Sequence, residues 1–229
     1  MLKVHLSNAL FSLLLIVFIL GTQQTFAEES KCLVCHGGKH IELKKGFPSY
    51  PDILSMKWKM FEFKSKGRPP FVEIPSDAKF ILGETYYDVK KKMMTEIYHN
   101  KCIDIFPEGR NFSCQFLSVD SKTYFIRFLK DNTIKDCRLW SKNAFYAPSQ
   151  HVAHLMKKET KKLSGHKSWY VLDIPRPGPF GLGFDQSLKK PMTFWFPVIQ
   201  GWVQQEFFGH KFSVDRKDVF KIPKKCVGL

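Results

Sequence analysis

The sequence predicts a mainly β fold in a secreted, single-domain protein, with one or two helices at most. Three observations carry that expectation. Short runs rich in aromatic and β-branched residues recur between turn-forming residues from position 53 to 140 and again from 192 to 208. Helical spacing shows well in one place, Ser149 to Leu163. A leader-like N-terminus precedes an even set of six cysteines.

The leader comes first in the chain. Lys3 introduces the apolar run Leu10 to Leu20, and Thr25-Phe26-Ala27 places small residues at the −3 and −1 positions of a signal-peptidase site. The run falls short of the ~20 residues a membrane span needs. The expected division is a signal peptide over 1–27 and one β domain over 28–229, large enough to bury a sizeable core. The expected location is extracellular or lysosomal. All six cysteines (Cys32, Cys35, Cys102, Cys114, Cys137 and Cys226) follow the cleavage site and read as disulfide partners rather than catalytic thiols. Asn111-Phe112-Ser113 is a glycosylation sequon beside the turn Pro107 to Arg110, so Asn111 is the expected glycan site.

Cys32-Leu33-Val34-Cys35-His36 matches the short pattern of c-type haem attachment. Its place at the mature N-terminus, the cysteine count that is even without haem, and the strand-rich chain behind it argue against that use. A dithiol of thioredoxin type lacks its βαβ setting.

Turns at Gly46 to Pro51 and Gly67 to Pro75 flank Ile53 to Phe63, where Met56, Trp58, Met60 and Glu62 alternate with Lys57, Lys59, Phe61 and Phe63. The alternation is imperfect, and the segment reads as an edge or outer strand. Phe80 to Tyr87, Lys92 to Tyr98, Gln115 to Val119, Tyr124 to Lys130 and Thr133 to Trp140 follow at the spacing of an antiparallel meander, with Asp131-Asn132 as the last turn. Tyr124, Ile126 and Phe128 share one face of their strand, and Phe125 and Leu129 share the other with Arg127. That strand should be covered on both sides or lie at a partner interface. Ser149 caps the candidate helix, whose apolar positions are Val152, Leu155, Met156 and Leu163. Pro175 to Gly183 is rich in proline and glycine and reads as a loop. Met192 to Val198 and Trp202 to Phe208 complete the strand set.

A net charge of +15 and an isoelectric point near 9.5 call for an anionic partner. Outside the cytoplasm that excludes nucleic acid and favours anionic membranes or acidic glycans. No catalytic constellation appears. There is no nucleophile elbow, and His151 and His154 stand without the glutamate of a zinc-protease motif. The protein reads as a non-enzyme with no cofactor and no metal site.

Tyr86-Tyr87-Asp88-Val89 followed by Lys90 to Met94 resembles the "SYD…RV" hairpin of the ependymin-related family. Tyr124 to Trp140 is similar to that family's next strand, charged turn and cysteine. Glu206-Phe207-Phe208, Asp215 and Asp218 to Cys226 resemble its closing "FF…D…F.PP..C". The resemblance implies two antiparallel sheets curved around an apolar cavity, a lipoprotein-carrier-like sandwich or half-barrel. It also implies a homodimer and a lipid or other hydrophobic small molecule as ligand. Tyr124, Ile126, Phe128, Phe194, Phe196, Trp202 and Phe207, at alternating strand positions, are the candidate cavity lining, and 22 phenylalanines suit such a pocket. Basic side chains at its mouth would meet an anionic headgroup. A Cys137–Cys226 bridge is implied too. Leu188 to Pro191 stands where the family has the cysteine that pairs with the N-terminal one, so Cys32–Cys35 or a rearranged pairing replaces that bridge. Cys102–Cys114 is then the remaining short-loop pair, with exchange of partners open. Calcium is associated with the family by resemblance only, and no ligand pattern in the chain supports it.

Overall fold

The computed structural model describes residues 35–36, 39–40, 47–48, 51–103, 109–142, 157–159, 168–172, 179–198 and 201–229. The expected signal peptide, Cys32, His151 and His154 lie outside them. A small ladder pairs β1 (Cys35–His36) with β2 (Lys39–His40). All other strands belong to one antiparallel sheet. These are β3 (Ile53–Phe63), β4 (Phe80–Asp88), β5 (Met93–His99), β6 (Cys114–Val119), β7 (Lys122–Phe128), β8 (Ile134–Ser141), β9 (Lys157–Glu159), β10 (Ser168–Leu172), β11 (Phe180–Phe184), β12 (Pro191–Val198) and β13 (Gly201–Lys211).

The strand order is β8-β7-β6-β5-β4-β3-β13-β12-β11-β10-β9. Two meanders build it. The first runs outward from β3 to β8, and the second runs inward from β9 to β13, which zips onto β3 from Trp202↔Phe63 to Phe208↔Lys57. The expectation of two sheets is therefore corrected. The β3–β13 ladder joins the meanders into a single sheet of eleven strands, which stays open, with β8 and β9 at its edges.

Three further expectations change. Strand β3 is the central strand, not an edge. Its lysines mark an exposed face rather than an exposed edge, because Met56, Trp58 and Met60 are buried while Lys57 and Lys59 are exposed. Residues 157–159 of the candidate helix form the edge strand β9, where exposed Lys157 and Lys158 discourage further pairing and Glu159 meets Arg68 at 2.7 Å. The rest of Ser149 to Leu163 lies outside the described residues, as do residues 175–178. The end of the expected loop, Phe180 to Gly183, is strand β11.

The reason for that last change is a contact between neighbouring strands. Gly181 stands directly opposite Trp195, and a β-carbon at 181 would come within 2.4 Å of the indole. The same device recurs at the sheet centre, where Trp58 lies across Gly83 and a β-carbon would come within 2.1 Å. Glycine in these strands makes room for a large ring rather than breaking the strand.

Register sorts the side chains onto two faces. On the first, buried Leu54, Trp58, Tyr87, Tyr98, Phe125, Tyr170, Leu182, Phe184 and Phe207 belong to one core that runs through both meanders. On the second, the C-terminal tail packs over Leu117, Tyr124 and Ile126. Strand β7 is thus covered on both sides, and Thr123 through Ile126 are all buried. Two short 3-10 turns, Lys217–Phe220 and Lys224–Cys226, shape the tail. Gln115 Nε2 donates to the Val219 carbonyl at 3.2 Å, and Cys226 is bonded to Cys137. The predicted turn at Asp131-Asn132 forms, with the Asp131 carboxylate accepting from the Thr133 amide at 2.9 Å and Asn132 at φ 63°.

Candidate functional site

The first sheet face carries most of the aromatic surface. On the β3–β8 wing the rings form a relay. Trp58 meets Tyr98 edge-on with centroids 4.9 Å apart, Tyr98 meets Phe116 at 6.1 Å, and Phe116 meets both Phe125 (5.2 Å) and Trp140 (5.7 Å). On the other wing Phe180, Phe194 and Phe196 stand in sequence at 6.1 and 5.3 Å. Phe116, Trp140, Phe180, Phe194 and Phe196 are only partly buried and pack against the core beneath them. The face is therefore an aromatic floor whose outer rings stay partly exposed.

Polar groups are set into this floor at the sheet centre. Trp58 Nε1 donates to Thr85 Oγ1 at 3.0 Å, and the Tyr98 hydroxyl donates to Glu96 Oε2 at 3.3 Å. Thr85 stands directly opposite Glu96 on the neighbouring strand. Removal from water raises the Glu96 carboxyl above its ordinary range, against the smaller pull of Tyr98 and Thr85. The same desolvation, with the Glu96 charge beside it, pushes the Tyr98 hydroxyl well up. Nearby, Arg110 clasps Glu62 with two bonds of 3.0 and 2.6 Å. The Cys102–Cys114 disulfide closes the segment that carries Arg110, holding it against the sheet. Asn111 in that segment is exposed.

The raised Glu96 carboxyl makes a stability prediction with a definite sign. A carboxyl whose folded value exceeds its unfolded value favours folding when protonated, and that contribution is lost as pH rises through the folded value. Glu96→Gln should therefore melt higher than the parent at pH 7, with the gap closing at about pH 4, the ordinary glutamate range. Parallel melts across that window check it, and a gap that widens in acid would contradict it.

The seven candidate lining residues do not share a face. Phe194, Phe196 and Phe207 lie on the aromatic face. Tyr124 and Ile126 are buried on the opposite face beneath the tail, with Phe128 packed beside them. Trp202 is also on that opposite face, its ring 5.6 Å from Trp195. Alternation within each strand was readable from the sequence, but which parity of one strand faces which parity of another depends on register across the β3–β13 joint. Glu96 was missed for a different reason. Flanked at ±2 by Met94 and Tyr98, it sits by parity on their side of the strand, and a charge there is the signal that would have found it.

Among the described residues no group of three His, Cys, Asp or Glu is placed to hold a metal ion. No helix of the described residues is long and apolar enough to cross a membrane. The two disulfides among the described residues indicate an oxidising compartment. Neither a family model nor a curated protein matches the chain.

Proposed function

We propose that the protein is a secreted or lysosomal, non-enzymatic carrier that holds a lipid or another hydrophobic molecule against the aromatic sheet face. The observation that carries this is the continuity of that face. A single core runs through both meanders, and partly exposed Phe116, Trp140, Phe180, Phe194 and Phe196 line its accessible side. Aromatic rings offer broad apolar contact at little cost in side-chain entropy. The Glu96 and Arg110–Glu62 groups give the floor a small number of polar anchors, as ligand sites usually have. The ependymin-related resemblance of the sequence supports the same reading, with this chain as a divergent member.

Titration with a fluorescent fatty acid or phospholipid tests it. Saturable uptake is expected, and Phe194→Ser with Phe196→Ser should weaken it by about thirtyfold or more, since each removes about 1–2 kcal/mol of apolar contact. Uptake that is absent in the parent, or unchanged in the double variant, would contradict the proposal.

A further inference from the structure

On the second face, between the C-terminal tail and the Trp195–Trp202 pair, the middle of the sheet is open to solvent. Register places Phe61 opposite Phe80, Lys59 opposite Leu82, and Lys57 between Glu84 and Phe208. Phe80 and Leu82 on β4 and Phe208 on β13 are 49%, 40% and 41% exposed, and with Phe61 on β3 between them they concentrate large apolar groups on three adjacent strands, a patch that a folded domain ordinarily covers. Phe61 and Phe80 meet at a tilt with centroids 5.8 Å apart, and the Lys59 ammonium lies 5.2 Å over the Phe80 ring.

The charges in this patch are unevenly satisfied. Among the described residues neither Lys57 nor Lys59 forms an ion pair, whereas Glu84 is already engaged by Arg216 at 3.5 Å, by the Tyr86 hydroxyl at 2.6 Å and by His99 at 3.9 Å. Glu206 lies at the edge, lining a shallow groove of about 340 Å³ with Lys59 and Phe208. Exposed Lys79 adds a cation beside Phe80.

The geometry points to this patch as a membrane-adsorption surface for anionic lipid. Its rings enter the headgroup region, where amphipathic and aromatic side chains are at home, and its free lysines meet the lipid phosphates and carboxylates. The chain's +15 charge draws it toward such a surface from a distance. The site is independent of the carrier proposal, because it lies on the opposite face and uses none of the residues assigned to ligand.

Sedimentation of the full secreted protein with vesicles tests it, using phosphatidylcholine alone or phosphatidylcholine mixed with phosphatidylserine. Binding is expected only to the mixed vesicles and should fade with salt. Lys57→Gln with Lys59→Gln should weaken it about thirtyfold, from roughly fivefold per lysine at an anionic surface. Phe80→Ser with Phe208→Ser should also weaken it while leaving its salt dependence in place, and Phe194→Ser with Phe196→Ser should bind as the parent does. All substituted side chains of the patch are exposed, and an unchanged melting temperature verifies folding. Equal binding to both vesicle types, or indifference to the patch variants, would overturn the inference. So would heparin retention that needs Lys57 and Lys59 without vesicle binding, or a lipid-free dimer that buries Phe80 and Phe208.

Discussion

Replacing Trp58 with alanine is expected to cost about 3–5 kcal/mol, the range for emptying a fully buried tryptophan site. The indole is 0% exposed in the central strand and packs edge-on against Tyr98. Its N–H is satisfied by Thr85, which stands directly opposite Glu96. Removing the ring therefore leaves a cavity and loosens the polar anchors of the aromatic face together. Gly83→Val attacks the same contact from the other side. The new β-carbon would fall 2.1 Å from the indole and 2.5 Å from the Ile97 carbonyl, so either the ring or the β4–β5 ladder must shift. Urea unfolding reads both. The account expects each to be strongly destabilised. It also expects Gly83→Val to recover in part when combined with Trp58→Leu, since the smaller residue relieves the clash. No recovery in the double variant would show that the glycine is required for another reason.

Loss of the Cys137–Cys226 disulfide is expected to cost about 4–5 kcal/mol in the chain-entropy model. The sequence separation is 89 residues, and the bond anchors the tail that seals the second face. Cys226 is fully buried with Leu117, Tyr124 and Ile126, and Lys225 Nζ donates to the Ile134 carbonyl beside it. Replacing both cysteines by alanine avoids a free thiol. The expected result is a lower urea midpoint, with faster hydrogen exchange at the amides of β7 and β8. By contrast, the same change at Cys102 and Cys114 closes a far shorter separation of 12 residues and should cost less, about 3 kcal/mol. If the two double variants lost equal stability, the tail would not be the element that the long disulfide secures.

Most strands were legible in the chain because their alternation is local. The sequence gives Ile53 to Phe63 its observed limits, and the strands ending the chain differ from expectation only at their ends. What could not be read was how strands from the two meanders meet. The imperfect alternation of β3 points to an edge strand, yet the lysines within it sit on the open face of the innermost strand. Glycines at 181 and 183 looked like loop residues because the partner that makes Gly181 favourable, Trp195, lies a strand away. The same limit governs the site. Phe194, Phe196 and Phe207 fall together, but Tyr124, Ile126 and Phe128 were grouped with them by parity within a strand, and the tail that covers these three is a long-range partner.

The carrier proposal is tested most directly by purifying the protein under native conditions and analysing its organic extract by mass spectrometry against a mock purification. A lipid or other apolar molecule is expected at near-stoichiometric amount, depleted when Phe194 and Phe196 are both serine. An extract indistinguishable from the mock, from protein that is folded and takes up no fluorescent lipid, would contradict it.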